Sequence, residues 1–376
     1  MKRIIRWIKR IMIAFLVVIA IIAIGLMIFL QQPQFGQPPT GGQVTQSAGL
    51  SNYNGKTFHN KDGITTTMSP LKALSLIPKW LSKDGEKEPT WSIPIKHRQK
   101  EEFESIPDSL VRLTWFGHSA FLLEIEGKRL LLDPMFGPRP SPLPFGSDRF
   151  NDTLPLAIND LPPIDVVLFS HDHYDHLDYP SVLQLKDKAG HFYVPLGLGS
   201  HLRKWGVPPE KITELDWWQE VAFGHLTFAC TPAQHFSGRG FNDRDKTLWS
   251  SWVIKGTTAN LFFSGDSGYF EGFRTIGEKY GPFDFVMMEC GQYNELWQEI
   301  HMMPEETLQA HLDLNGKVLM PIHWGAFNLS LHRWTEPVER LLAAARNTDA
   351  VIATPMIGES VVVNGPVPDK DWWVLR

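Results

Sequence analysis

The chain offers almost no thiol chemistry. Two cysteines in 376 residues rule out a disulfide-built scaffold, and Cys230 and Cys290 sit in separate apolar runs without the close spacing of a thiolate metal site. Both read as small buried hydrophobes, and neither decides the redox compartment. Positive charge is not in excess either: 36 Lys and Arg against 41 Asp and Glu leave a net charge of −5. Nothing in that balance draws the protein to nucleic acid. Between Arg10 and Lys56 the chain carries no Lys or Arg, and no internal repeat is visible along it.

What the chain does have is apolar mass. It is 43% hydrophobic, enough at this length to bury a large core in one domain or in two packed halves. The 14 Trp and 23 Phe belong mainly in such a core, with a surplus near a substrate mouth suited to a greasy ligand. Residues 11–30 are all apolar or glycine, about 30 Å of helix, which matches the hydrocarbon core of a bilayer. Gln31, Gln32 and Pro33 follow where a secretory signal would place small residues for cleavage, so the segment reads as a retained transmembrane helix. Lys2, Arg3, Arg6, Lys9 and Arg10 crowd its amino-terminal side. The positive-inside rule then keeps residues 1–10 in the cytoplasm as a basic tail and exports the rest to the extracytoplasmic (periplasmic) side.

Residues 31–55, rich in Gln, Pro, Gly, Ser and Thr, read as a flexible linker. Residues 56–109 read as an irregular arm on the main domain, with a short amphipathic helix at 71–81, and residues 110–376 as that domain. Strands are expected at 111–116, 120–125, 129–132, 164–169, 192–195, 212–217, 226–230, 249–254, 260–263, 285–289 and 317–322. Helices are expected at 180–185, 198–205, 270–280, 304–314 and 337–345, with Pro304, Glu305 and Glu306 suiting a helix start. Residues 134–160 read as an insertion-like loop.

Residues 170–180 run Ser-His-Asp-His-Tyr-Asp-His-Leu-Asp-Tyr-Pro, just past the apolar stretch at 164–169. The imidazoles therefore stand where a buried strand ends. In extended backbone, residues two apart face the same way, so His171 and His173 can grip one metal ion, while Asp175 and His176, past the bend, reach a second. One loop cannot close two coordination spheres. Partners stand after other apolar runs: His235 in Thr-Pro-Ala-Gln-His, Asp266 in Phe-Phe-Ser-Gly-Asp, and His323 in Met-Pro-Ile-His-Trp-Gly. His118, in Phe-Gly-His-Ser, and Asp133, in Leu-Asp-Pro, likewise end strands.

In the order His-x-His-x-Asp-His, His, Asp, His, these residues resemble the metallo-β-lactamase superfamily. Flanking segments carry the resemblance further: residues 164–182, Leu215-Asp216-Trp217-Trp218, Gly265-Asp266-Ser267-Gly268-Tyr269, Gly281-Pro282-Phe283-Asp284 and Ile322-His323-Trp324-Gly325. These look like the branch that contains N-acyl-phosphatidylethanolamine-hydrolysing phospholipase D, over roughly residues 110–365. The resemblance implies an α/β fold, a four-layer αβ/βα sandwich, behind the transmembrane helix. It implies two zinc ions, with iron or manganese compatible with the same donors: one on His171, His173 and His235, the other on Asp175, His176 and His323, and Asp266 between them. Asp133 would steady the histidine loop from behind, and His118 either does the same or simply packs in the core. His301 matches a family histidine near the substrate phosphate and is expected as a phosphate contact or proton donor. Tyr293 and Tyr174 are candidates for lining the pocket, with core packing the alternative for each. For residues 56–109 the resemblance implies a hydrophobic, membrane-facing surface, against a plain packing arm.

The expected chemistry is hydrolysis of a phosphodiester in an N-acylated phosphatidylethanolamine. Water acidified by the metals, its pKa lowered from about 15.7 to roughly 7, attacks phosphorus, expels N-acylethanolamine and leaves phosphatidic acid. Asp175, Asp266 and His301 form the catalytic set, and the substrate partner is a phospholipid at the bilayer. The same donors would also serve a lactonase or other small-ester or amide hydrolase, which needs a small polar pocket where a lipid hydrolase needs an apolar channel. A non-catalytic binding scaffold would not need the full ligand set. One departure stands out: Asp172 occupies a position where the animal phospholipases resemble His-Asn-His. It points away from the metals in an extended loop, so ligation survives, with a different local acidity around an anionic substrate.

Overall fold

The structure, a computed structural model, describes residues 2–40, 50–61, 63–64, 69–82 and 85–374. Two seven-stranded sheets dominate it. The first is built from β1 (Val111–Trp115), β2 (Phe121–Ile125), β3 (Lys128–Leu132), β4 (Ile164–Leu168), β5 (Ala189–Pro195), β6 (Ile212–Leu215) and β14 (Ser360–Val362), in the order β14-β1-β2-β3-β4-β5-β6. The second takes β7 (Glu220–Phe223), β8 (Leu226–Thr231), β9 (Ser251–Lys255), β10 (Asn260–Phe263), β11 (Phe285–Glu289), β12 (Val318–Ile322) and β13 (Val351–Ile352), in the order β13-β12-β11-β10-β9-β8-β7. Both follow one plan. Four antiparallel strands, β14 to β3 or β7 to β10, continue into a parallel run, β3 to β6 or β10 to β13. The plan is duplicated although no repeat is legible in the residues, because strand pairing depends on apolar alternation and not on residue identity.

That alternation sorts side chains into separate cores. Leu113, Leu123, Leu130 and Val166 meet Phe228, Ile254, Leu261 and Met287 between the sheets. The intervening residues point outward. Leu122, Leu131 and Val167 pack under α3 (Tyr179–Leu185) and α4 (Gly199–Lys204) through Val182, Leu185 and Leu202. Phe262, Val286 and Leu319 pack under α5 (Gly272–Tyr280), α6 (Pro304–Asp313) and α7 (Glu336–Ala345) through Phe273, Ile276, Leu308 and Leu341. The result is helix, sheet, sheet, helix, the expected four layers. Cys230 lies in the inter-sheet core and Cys290 in the outer one, both buried and unpaired with each other.

Edge strands are where expectation and structure part. β7, β13 and β14 carry no buried apolar pattern of their own: β7 alternates exposed and half-buried, and β13 spans two residues. They are strands because a neighbour's open edge receives them. Trp249, expected inside β9, instead caps a small cluster with Tyr53, Phe58, Leu196 and Leu248.

Helix α1 (Lys2–Leu30) starts in the basic tail, since nothing in Arg-Trp-Ile-Lys-Arg breaks a helix. Its segment Arg3–Leu30, which contains an 18-residue window of mean hydropathy 3.3, is by length and composition long and apolar enough to cross a membrane. The expected flexible linker after it is a docked strap at its start. Residues Pro33–Phe35 form a turn whose Pro33 carbonyl accepts from Trp205 Nε1 at 2.7 Å, and Gln34 O accepts two hydrogen bonds from Arg239, at 2.7 and 3.0 Å. Gln37 N donates to His201 Nδ1 at 3.0 Å. Low-complexity composition hid these contacts because they run through backbone carbonyl and N–H groups. Residues 41–49, the middle of that linker, lie outside the described residues. Further on, α2 (Pro70–Leu81) is capped by Ser69, buries Leu76, and leaves Leu71, Leu74 and Ile77 exposed.

One buried base on α6 makes stability depend on pH. His311 is 1% exposed, its Nδ1 has no partner among the described residues, and burial pushes its pKa down to about 4 from an ordinary 6.5. The folded protein therefore binds this proton less readily than the unfolded chain. His311 contributes stability in full above pH 6.5 and loses it as pH falls from 6.5 toward 4. We expect His311→Gln to show a shallower loss of thermal stability than the parent across that window, measured by melting temperature in buffers of constant ionic strength.

Candidate metal centre

Every site residue stands just past the carboxyl end of a strand. The loop after β4 carries His171, His173, Asp175 and His176; His235 follows β8, Asp266 follows β10, and His323 follows β12. Asp133 and His118 follow β3 and β1. Three of these turns use backbone that L residues rarely adopt: φ is 54° at His118, 37° at Asp133 and 67° at His323. Such strain gathers where surrounding structure over-determines a geometry. The two halves approach closely at Gly265, φ +57°, where a Cβ would stand 2.5 Å from Ser170 Cβ.

Sheet closure brings the expected residues into two adjoining clusters. In the first, His173 Nδ1 lies 3.0 Å from His171 Nε2 and 3.1 Å from His235 Nε2, and Asp266 Oδ2 lies 3.8 Å from both of those Nε2 atoms. In the second, Asp175 Oδ2 lies 2.9 Å from His118 Nε2, 3.1 Å from His323 Nε2 and 3.5 Å from His176 Nε2. Asp266 reaches this cluster too, 3.0 Å from His176 Nε2 and 3.1 Å from His323 Nε2. Its carboxylate belongs to both.

Hydrogen bonding behind the imidazoles decides which nitrogen each presents. His176 Nδ1 donates to Asp133 Oδ2 at 2.7 Å, and His235 Nδ1 donates to the Ile300 carbonyl at 3.0 Å. Ser170 Oγ gives its proton to Asp133, so it accepts from His171 Nδ1 at 2.8 Å. His323 Nδ1 donates to Glu289 Oε1 at 3.2 Å. Each of these imidazoles, when neutral, thus turns an unprotonated Nε2 inward. Lone pairs on His171 and His235 converge with His173 Nδ1 at 3.0–3.1 Å, where they cannot all be satisfied by one another. His176 Nε2 and Asp266 Oδ1, both buried, approach to 3.0 Å without hydrogen-bond alignment, and neither has a hydrogen-bond partner among the described residues.

That pattern fits cations. Donors bound about 2.0–2.1 Å from one tetrahedral ion stand roughly 3.3 Å apart, close to the separations seen. The donors are nitrogen and carboxylate oxygen with no thiolate, a set that takes zinc and also iron or manganese. Electrostatics agree. Burial and the neighbouring imidazoles hold His171 and His235 well below the ordinary histidine range, in the neutral form that ligates. Burial opposes charge on His176 and His323 as well, but the carboxylates around them outweigh it: His176 is held well above its usual range and His323 is pushed up to about 10. Two positive charges are thus favoured beside Asp175 and Asp266, as a pair of cations would supply.

The remaining expectations divide. Asp133 sits behind the loop, gripping Ser170 and His176. His118 is fully buried and holds Asp175. His301 borders the cavity over the clusters. Tyr174 and Tyr293 do not. The Tyr174 hydroxyl donates to Arg239 O at 2.6 Å with its ring under that guanidinium, and the Tyr293 hydroxyl donates to Glu336 at 2.7 Å with its ring stacked on His332. Both are structural, because their hydroxyls are committed within the protein. Asp172 points away from the donors, as expected, but without the expected change in acidity. Its buried carboxylate accepts from Gly238 N at 2.8 Å and Thr247 Oγ1 at 2.9 Å, facing His201 and away from the cavity, so it adds no acidity around a substrate. Three positioning groups were not foreseen. Asn60 clamps the His235 backbone through N and O, Arg239 grips the carbonyls of Asp172 and Leu177, and Glu289 holds His323. A carboxylate closing the apolar strand at 285–289 was the one available hint.

Above the clusters opens a cavity of about 1160 Å³. His173, Asp175, Asp266, His301 and His323 line it at the polar end, Leu76, Trp80, Phe236, Leu296, Trp297, Ile300 and Leu329 supply apolar wall, and Lys72 and Arg244 share the rest with Glu295, Glu299, Glu306 and the amides of Gln234, Gln292 and Gln298. Among the other tryptophans, Trp115, Trp324, Trp334, Trp372 and Trp373 pack on one another in the core.

A doubled sheet sandwich with imidazole and carboxylate donors at its strand ends defines a metal-dependent hydrolase. The chain belongs to the beta-lactamase superfamily: the family described as Beta-lactamase superfamily domain matches residues 128–324. It is 32% identical over 263 residues to N-acyl-phosphatidylethanolamine-hydrolyzing phospholipase D 1 of Caenorhabditis elegans, covering 66% of this chain and 73% of that one. It is 41% identical over 329 residues to an uncharacterised protein of Mycobacterium tuberculosis, covering 86% and 87% respectively. A metallo hydrolase from the archaeon Ignicoccus hospitalis shares the fold, with a TM-score of 0.53 and 22% identity over 67% of this chain and 97% of that one.

Two substitutions test the centre. His173→Ala removes the donor shared by His171 and His235, so metal content measured by plasma mass spectrometry should drop and hydrolysis vanish, with circular dichroism unchanged. Gly265→Ala forces a Cβ against Ser170 and should cost about 2 kcal/mol or more of stability, read by denaturant titration, because the backbone there is left-handed and cannot yield.

Proposed function

We propose that the protein is a membrane-anchored dinuclear zinc phosphodiesterase that cleaves an N-acyl-phosphatidylethanolamine-type phospholipid to phosphatidic acid and N-acylethanolamine. The observation that carries this reading is the large cavity, partly walled by apolar side chains, that ends on two adjoining donor clusters. A lactone or small ester would need neither its volume nor its greasy walls. Likeness to the worm phospholipase supports the same choice.

His171, His173 and His235 would hold one ion, Asp175, His176 and His323 the other, and Asp266 both. Bound there, the ions would neutralise charge on phosphoryl oxygens and lower the pKa of water from about 15.7 to roughly 7. The chain's own residues do the rest. The walls take acyl chains and exclude water, while Lys72 and Arg244 draw the anionic phosphate inward. His301, fastened at Nδ1 to Glu289, presents Nε2 to the phosphate and, as an imidazolium, gives a proton to the departing alcohol oxygen. Helix α1 spans the bilayer with its basic end in the cytoplasm, so the catalytic domain stands on the extracytoplasmic side. Anchoring spares a two-chain lipid the passage through water, which costs about 0.8 kcal/mol per exposed methylene.

The test uses the zinc-loaded full chain in vesicles containing N-acyl-phosphatidylethanolamine, run in ¹⁸O-labelled water with products identified by mass spectrometry. We expect unlabelled N-acylethanolamine and one labelled oxygen in phosphatidic acid, since water attacks phosphorus. Release of fatty acid, or no turnover, would remove the proposal.

A further inference from the structure

Two imidazoles of the site are fastened to one oxygen. His301 Nδ1 hydrogen-bonds Glu289 Oε1, and His323 Nδ1 meets the same atom at 3.2 Å. Their rings lie nearly parallel, 14° between planes and 5.2 Å between centroids. Glu289 ends β11, is fully buried, and has its other oxygen, Oε2, occupied by Ser267 N at 2.6 Å. Its backbone is pinned as well: N donates to Ser264 Oγ at 2.9 Å and O accepts from Thr307 Oγ1 at 2.7 Å. A carboxylate accepts hydrogen bonds and gives none, so both Nδ1 atoms must carry the proton. Each Nε2 is thereby turned the opposite way. That of His323 stands 3.1 Å from both Asp175 and Asp266, while His301 lines the cavity.

We propose that Glu289 is a positioning residue that couples His301, the imidazole expected to meet substrate, to His323, the imidazole expected to meet metal, by holding both rings through one carboxylate oxygen. A buried carboxylate is tolerable only while its donors stay in place, because losing one leaves the charge of the fully buried Glu289 short of a hydrogen bond. Neither ring can then swing without disturbing the other's partner. Metal affinity and phosphate contact become linked properties, although His301 stands outside the two expected donor sets. The identity of what His301 meets rests on the proposed function; the link to the metal does not.

The test is a double-mutant cycle on the full chain in detergent, with Glu289→Gln, His301→Ala and the pair. Glutamine keeps shape and volume but cannot accept at both oxygens. We expect Glu289→Gln to weaken zinc binding about 10- to 100-fold in chelator competition. His301→Ala should weaken zinc severalfold on its own, and its turnover penalty should shrink to within about threefold once Glu289 is already changed. Unchanged zinc affinity in Glu289→Gln, or a His301→Ala penalty of equal size in both backgrounds, overturns the proposal. If the wild type does not cleave the phospholipid, the proposed function fails and the zinc measurements still decide this inference. If Glu289→Gln does not fold, ¹⁵N histidine spectra of the zinc-loaded wild type decide it: protonated Nδ1 on both rings supports the coupling, and a bare Nδ1 on either overturns it.

Discussion

Asp266 faces four imidazoles, His171, His176, His235 and His323, at 3.0–3.8 Å, and it is buried. The rest of the centre depends on that one carboxylate. Two histidines come from a loop of the first sheet and two from strand ends of the second, so Asp266 is satisfied only when both halves of the sandwich are closed. An ionised carboxylate without partners in such a place would cost several kcal/mol. Closure of the fold and assembly of the site are for this reason one event.

Behind the donors runs a second set of bonds that converts ordinary imidazoles into oriented ones. Asp133, the Ile300 carbonyl, Ser170 and Glu289 each take an Nδ1 proton and leave Nε2 to face inward. Four separate acceptors produce the same tautomer. Distant parts of the chain reinforce them: Asn60 pairs with the backbone of His235, and Arg239 ties the histidine loop to Gln34 in the strap beyond α1. The segment just beyond α1 is therefore part of the scaffold around the centre.

Misjudged residues share a cause. Tyr174 neighbours two donors in sequence, but the side chain of a residue between two inward-facing ones points outward, and there Arg239 receives it. Asp172 points outward for the same reason, into a polar niche of Gly238, Thr247 and His201. Tyr293 follows Gln292 in a loop packed on α7, and its hydroxyl is taken by Glu336 of that helix. For the two tyrosines proximity along the chain was legible and direction needed partners from elsewhere; for Asp172 the outward direction was legible too, and only its buried partners were not.

By itself the sequence determined the elements and the donors: buried strands show as unbroken apolar runs, and imidazoles at their ends stand out because few other roles explain them. It also specified the apolar helix at the amino terminus, since length and hydropathy are local quantities. The short edge strands β7, β13 and β14, the docking of residues 33–39, the clamp from Asn60 and the shared oxygen of Glu289 were decided only by tertiary structure. Those features consist of single backbone or side-chain hydrogen bonds between residues far apart in the chain. Such bonds impose no periodicity on the sequence, so they take form only once two sheets have closed face to face.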